Sequence, residues 1–159
     1  MTSDACPAYT DDNHTSPKET RTMLRSVDIS DYMNTNPLRV HVEDSLFKAM
    51  DVITRTRASG ACVVDDSDNL VGVLSEIDCL RAVVSATYNN AADVGKVRDF
   101  MTAEVQTCQL HDNIVDVAMD MIAKGHRRRP VLDNNKLIGQ LTCRRILQVV
   151  SSFSSRGGA

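Results

Sequence analysis

Apolar positions along this chain recur with two periods, a period of two and a helical period, and the order in which they alternate occurs twice. Val40 and Val42 alternate with polar residues, which predicts a short half-buried strand. Leu46, Ala49, Met50 and Ile53 follow at helical spacing, with Asp44 placed to cap that helix. The run ACVVD (61–65), the polar turn DSDN and the run LVGVLS (70–75) predict a hairpin. A second helix is expected over about residues 76–86, carrying Ile77, Leu80, Val83 and Val84. After a polar linker at 88–96 the series begins again. Asp112 precedes Ile114, Val117, Ala118 and Met121, PVLD and LIGQLT flank the turn NNK, and a closing helix over 143–152 carries Ile146, Leu147 and Val150.

The two halves align residue by residue. ISDYMN (29–34) matches VRDFMT (97–102), and an offset of 68 holds from Asp31/Asp99 through Asp44/Asp112 to Asp65/Asp133. One residue is lost in the turn, and the offset is 67 from Leu70/Leu137 through Gly72/Gly139 to Leu80/Leu147. Each half therefore reads as strand, helix, strand, strand, helix. The expected architecture is α+β, close to α/β in its element order, with two βαββα repeats related by a pseudo-twofold axis. One repeat of about 55 residues buries too little surface to be secure alone. Two repeats sharing sheet faces would create two equivalent clefts between them. The expected boundaries are a disordered tail at 1–25, repeat one at 26–87, the linker at 88–96, repeat two at 97–153 and a flexible end at 154–159.

Composition narrows the function. The hydrophobic fraction is 42%, aromatics are 4% with no Trp, and the net charge is −3, which weighs against wholesale nucleic-acid binding. No apolar run approaches the ~20 residues of a membrane span, and the N-terminus lacks a basic start and an apolar stretch, so a cytoplasmic setting is expected. Five cysteines, none in CxxC spacing, read as reduced and mostly buried thiols, and the four histidines show no ligand spacing for a metal. No nucleophile–base signature, P-loop or carboxylate dyad is present, so an enzyme is not expected.

Taken together, the repeated βαββα order, the openings Met33-Asn34 and Met101-Thr102, the PVhD-like strand and the closing GhhS/TxxD segment resemble a CBS-domain pair (Bateman module), here of the stand-alone two-repeat type. The resemblance covers about residues 26–153. It implies a regulatory module that binds an adenosine-containing ligand, such as AMP, ADP, ATP or S-adenosylmethionine, between the repeats. It also implies a homodimer that signals to a partner protein.

The resemblance assigns ribose contacts to Ser75 and Asp78 of GVLSEID, where a carboxylate can accept from both ribose hydroxyls. Gly72 would let backbone approach the ligand. The same Ser-x-x-Asp spacing also fits a helix capping box, and the two roles are compatible. The second repeat keeps Thr142 but has Arg145 where the acid is expected, and arginine cannot accept a hydrogen bond. At most one standard adenosine site is therefore expected, with the second cleft empty or holding a different anion. Residues 124–145 carry seven basic side chains against one acid. The resemblance assigns phosphate contacts to the loop before the PVhD-like strand, which Arg127 and Arg128 match, while Arg144 and Arg145 begin a helix whose N-terminus favours an anion, with surface solvation as the plain alternative for all four. Arg129, at a position usually apolar, could form an internal ion pair instead. Ser59, Gly60 and Ala61 are small enough either for an adenine to stack against backbone or for close packing between repeats. Two other readings stand beside the sensor: a ligand-free dimerisation module, and nucleic-acid binding through the arginine runs, which the missing aromatic platform disfavours.

Overall fold

A computed structural model describes residue 24 and residues 26–155. The first sheet holds β1 (Arg39–His41), β2 (Gly60–Val64) and β3 (Leu70–Ser75), and α1 (Leu46–Arg55) and α2 (Glu76–Tyr88) complete the repeat. After a single-turn helix α3 (Val97–Phe100), the second repeat holds β4 (Cys108–Gln109), α4 (Ile114–Lys124), β5 (Arg128–Asp133), β6 (Lys136–Thr142) and α5 (Cys143–Ser155). The expected α+β architecture of two βαββα repeats is the one observed. In each sheet the first strand runs parallel to the second, and the second pairs antiparallel with the third, with a register shift at Val63/Val64 and again at Val131/Leu132.

Local chemistry explains the elements. The β5–β6 hairpin turns through Asn134 and Asn135, both at positive φ (47° and 63°), a geometry Asn tolerates. Helix α1 begins one residue later than its sequence implied. Ser45 is the cap, accepting from the Lys48 amide, while Asp44 accepts from the His41 amide and ties the end of β1 into the turn. The second repeat does the same, with Asn113 as cap and Asp112 accepting from the Gln109 amide. Helix α5 extends to Ser155, two residues into the segment expected to be flexible. The expected N-terminal tail lies outside the described residues except for Leu24, which packs on the second core.

Each repeat borrows its opening segment from the other. The 3-10 turn at Ile29–Asp31 and Tyr32 pack into the second core, with Cys108, Ile114, Met121, Val131 and Leu141. Val94 and Val97, which precede β4 in the chain, pack into the first core with Leu46, Ile53, Val63 and Leu74. Full burial of an aliphatic or aromatic side chain is worth roughly 1.5–3 kcal/mol, so Ile29 and Tyr32 bind the repeats together strongly. Two glycines permit the exchange. A Cβ on Gly72 would lie 2.6 Å from the Met101 sulfur, and one on Gly139 would lie 2.7 Å from the Met33 sulfur. The two sheets also meet through Cys62, Val64 and Leu137, and Arg39 donates to the Leu137 carbonyl at 2.9 Å.

Candidate functional site

Two clefts lie between the repeats, and the strand register places their residues. Gly60 at the start of β2 pairs with Ser75 at the end of β3, and Arg128 at the start of β5 pairs with Thr142 at the end of β6. The following helices are tied back to the same corners. The Glu76 amide donates to the Ser59 carbonyl, and the Cys143 amide donates to the Arg127 carbonyl. Each cleft thus has a helix N-terminus on one side and the entry to a central strand on the other.

The first cleft has a volume of about 350 Å³, within the usual range for a small-molecule site. Its lining includes Ser75, Asp78, Thr102, Glu104, Arg127 and Arg128. Ser75 and Asp78 form a complete capping box. The Ser75 amide donates to Asp78 Oδ2 at 2.9 Å, the Ser75 hydroxyl donates to the same oxygen at 2.6 Å, and the Asp78 amide donates to Ser75 Oγ at 3.2 Å. The capping role is therefore observed. One carboxylate oxygen is thus held by Ser75, while Oδ1 lies 3.7 Å from the exposed Arg81 guanidinium as an ion pair.

The second cleft is larger, about 1080 Å³. Thr142 lines it, and its hydroxyl accepts from the Arg145 amide at 3.0 Å, half of the capping box seen in the first repeat. The Arg145 side chain is not in the cleft. It turns into a separate hollow with Ser26, Asp31, Gln148 and Phe153, so the residue replacing the acid leaves its place open. Arg144 lines the second cleft instead.

Arg127, Arg128 and Ser59 line both clefts. Arg128 is a bar between them, its Nη2 donating to the Ser59 hydroxyl. Burial lowers its tendency to hold the proton. Gly60 is packed against backbone beside this bar, since a Cβ there would lie 2.3 Å from the Leu74 carbonyl oxygen and 2.8 Å from Arg128 Nη1. Gly60 lines the second cleft, whereas Ala61 is fully buried in the first core and lines neither. Gly72 lines neither as well, because its missing side chain accommodates Met101 rather than a ligand. Arg129 makes the internal ion pair. It is 4% exposed and donates to Asp120 at 2.6 Å, with His126 beside it at 3.3 Å. Sequence reasoning did not pick out Thr102, Glu104, Arg39 or Arg57. Thr102 reaches the first cleft only through the exchange of opening segments, which local pattern does not encode.

Comparison with known proteins agrees with this architecture. The CBS domain family matches residues 29–85 and 97–152. The chain is 23% identical over 137 residues to the uncharacterized protein MJ1225 of Methanocaldococcus jannaschii, covering 85% of this chain and 48% of that one. It thus spans about half the length of that relative. Among solved structures it resembles CBSX2 in complex with AMP, with a TM-score of 0.72, 26% identity and coverage of 81% of this chain and 99% of that one. It shares its fold with the CBS domain pair of MJ0100 in complex with 5'-methylthioadenosine and S-adenosyl-L-methionine (TM-score 0.67, 20% identity, 79% and 97% coverage). With both repeats matched, and matched in the order that folds them into one another, the chain belongs to the CBS-domain family as a pair of CBS domains.

Proposed function

We propose that this protein is a regulatory sensor that binds an adenine nucleotide or another adenosyl ligand in the first cleft. The observation that carries the reading is Asp78. Its side chain is only 14% exposed, is steadied by Ser75, and faces a cavity of nucleoside size. There it would accept from the ribose hydroxyls, while Arg127 and Arg128 meet a phosphate and Ser59 and Gly60 leave room for a flat base. The AMP complex of the 26% identical CBSX2 supports this ligand class. CBS pairs are regulatory modules that sense such ligands, and this chain would act through a partner rather than as a catalyst. Ligand bridging the repeats would shift their relative arrangement by its differential affinity for two states, and a partner protein would read the change. A cytoplasmic setting fits the free thiols of Cys62, Cys79, Cys108 and Cys143.

Thermal unfolding against AMP, ADP, ATP, NADH and S-adenosylmethionine tests the reading. A ligand at 100 times its Kd adds ~2.7 kcal/mol, a shift of several degrees. One adenosyl ligand should raise the Tm of the wild type and not that of Asp78→Ala. No shift with any of them at millimolar concentration rejects the sensor.

A ligand-free self-association module is the second reading. Ile77, Leu80, Val84 and Tyr88 on α2, and Met119 and Ile122 on α4, are large apolar side chains left exposed. A chain that dimerises yet gives no ligand shift would favour it.

A further inference from the structure

We propose that the second cleft is an oligophosphate site, chemically distinct from the nucleoside cleft beside it. Arg39, Arg57, Arg127, Arg128 and Arg144 all line it, and no Asp or Glu does. The first cleft contains both Asp78 and Glu104. Arg39 is partly neutralised by Asp68 at 3.5 Å, but Arg57, Arg127, Arg128 and Arg144 have no ion-pair partner among the described residues. Arg57 and Arg144 line this cleft and not the first, Arg127 and Arg128 border both, and these four guanidiniums repel each other unless a polyanion lies between them. Guanidinium groups suit phosphate oxygens, which they meet with paired hydrogen bonds. The lining also includes the start of α5, a helix of 13 residues whose N-terminal amides favour an anion.

A second observation comes from the backbone. Arg57 follows α1 in the left-handed conformation, with φ at 53°. The residue at the same place after α4 is Gly125, also left-handed at 67°. Glycine is the residue this helix ending favours, and a side chain there is strained. The first repeat nevertheless carries an arginine, and its side chain lines the second cleft. Strain held at a position where glycine would serve the fold points to a task for the guanidinium. The ribose-clasping acid is missing from this cleft and Arg145 has turned out of it. The recognised chemistry is thus a chain of phosphates, either a free oligophosphate or the tail of a nucleotide whose nucleoside end is elsewhere.

Calorimetric titration of the full chain with inorganic tripolyphosphate at low salt tests this without relying on the adenosine reading. The wild type should bind one tripolyphosphate per chain, with affinity falling as salt is added. Arg57→Gly should fold with a Tm no lower than the wild type yet bind about tenfold more weakly, the usual scale for losing a charge-assisted hydrogen bond. Arg144→Gln should weaken binding comparably, and Asp78→Ala should leave it unchanged. ATP and AMP separate the sources. Tighter binding of ATP than of AMP, with the gap closing in Arg57→Gly, identifies a nucleotide tail, and equal binding of the two identifies a free oligophosphate. Absence of tripolyphosphate binding, full affinity in Arg57→Gly, or lost affinity in Asp78→Ala would each overturn the proposal. Failure of AMP and S-adenosylmethionine alike to bind while tripolyphosphate binds would count against the adenosine reading and leave this proposal standing.

Discussion

Asn34 and Gln140 exchange two backbone hydrogen bonds, each amide donating to the other's carbonyl at 2.9 Å, although they belong to different repeats. Val73 and Thr102 do the same on the other side, at 3.0 and 2.9 Å. These paired bridges pin the opening segments to the sheets they complete. We expect the chain to unfold in a single transition, with far-UV circular dichroism and the Tyr32 environment changing together. Residues 97–155 alone, lacking Ile29 and Tyr32, should show no cooperative melt. Separate transitions for the two repeats would contradict this account.

The glycines under the methionines should differ in tolerance. A Cβ on Gly72 meets mainly the movable Met101 side chain, with the nearest backbone atom, the Thr102 carbonyl oxygen, at 3.1 Å. A Cβ on Gly139 meets the Asn34 carbonyl oxygen at 2.8 Å, and that carbonyl is fixed by the Gln140 amide. Gly139→Ala should therefore cost ~1–3 kcal/mol, the usual range for overpacking, and more than Gly72→Ala. Denaturant titration of both variants gives the ordering, and a reversed order would refute the reasoning.

The Asp120–Arg129 pair makes stability depend on acid. Hydrogen bonds from Lys124 and then Arg129 hold the Asp120 carboxyl below the ordinary value of 3.8. A depressed folded-state pKa contributes stability that is fully present above the unfolded value and is lost as pH falls through the folded one. The Tm gap between wild type and Asp120→Asn should therefore be largest near neutral pH and shrink below pH 3.8. Arg129→Met should be milder at neutral pH than Asp120→Ala, because it removes a buried charge instead of stranding one.

Thiol accessibility should follow burial. Burial pushes the Cys62 thiol up to about 11 and the Cys108 thiol up to about 12, and Cys79 is also raised. Cys143 is exposed at the rim of the second cleft. Brief alkylation of the native protein at pH 8, mapped by mass spectrometry, should label Cys143 and spare Cys62, Cys79 and Cys108. Native labelling of Cys62 would show that the inter-sheet contact opens.

Sequence periodicity reaches as far as local chemistry does. The two hairpins and the starts of α2 and α5 follow from alternation and turn residues such as Asn134 and Asn135. The caps fell one residue beyond Asp44 and Asp112 because those acids hold the preceding strand ends, a role their spacing resembles closely. The exchange of Ile29 and Val97 between cores was not legible, since each segment is apolar enough to suit either sheet. The Ser75–Asp78 capping box was legible because it is contained in four consecutive residues. Arg57 was missed, although the repeat offset of 68 sets it against Gly125 and flags a left-handed position. Arg145 was placed by sequence in the second cleft, but nothing local specifies that its side chain turns toward Asp31.

The exchanged opening segments mean that one repeat is only half of a folding unit. A chain carrying a single repeat could bury Tyr32 or its counterpart Phe100 only on a second chain, reciprocally, and its folding would depend on protein concentration. Covalent linkage through residues 89–96 replaces that encounter with an effective concentration on the millimolar scale, set by a short tether. The pair is in this sense a dimer joined end to end, able to complete itself however dilute it becomes.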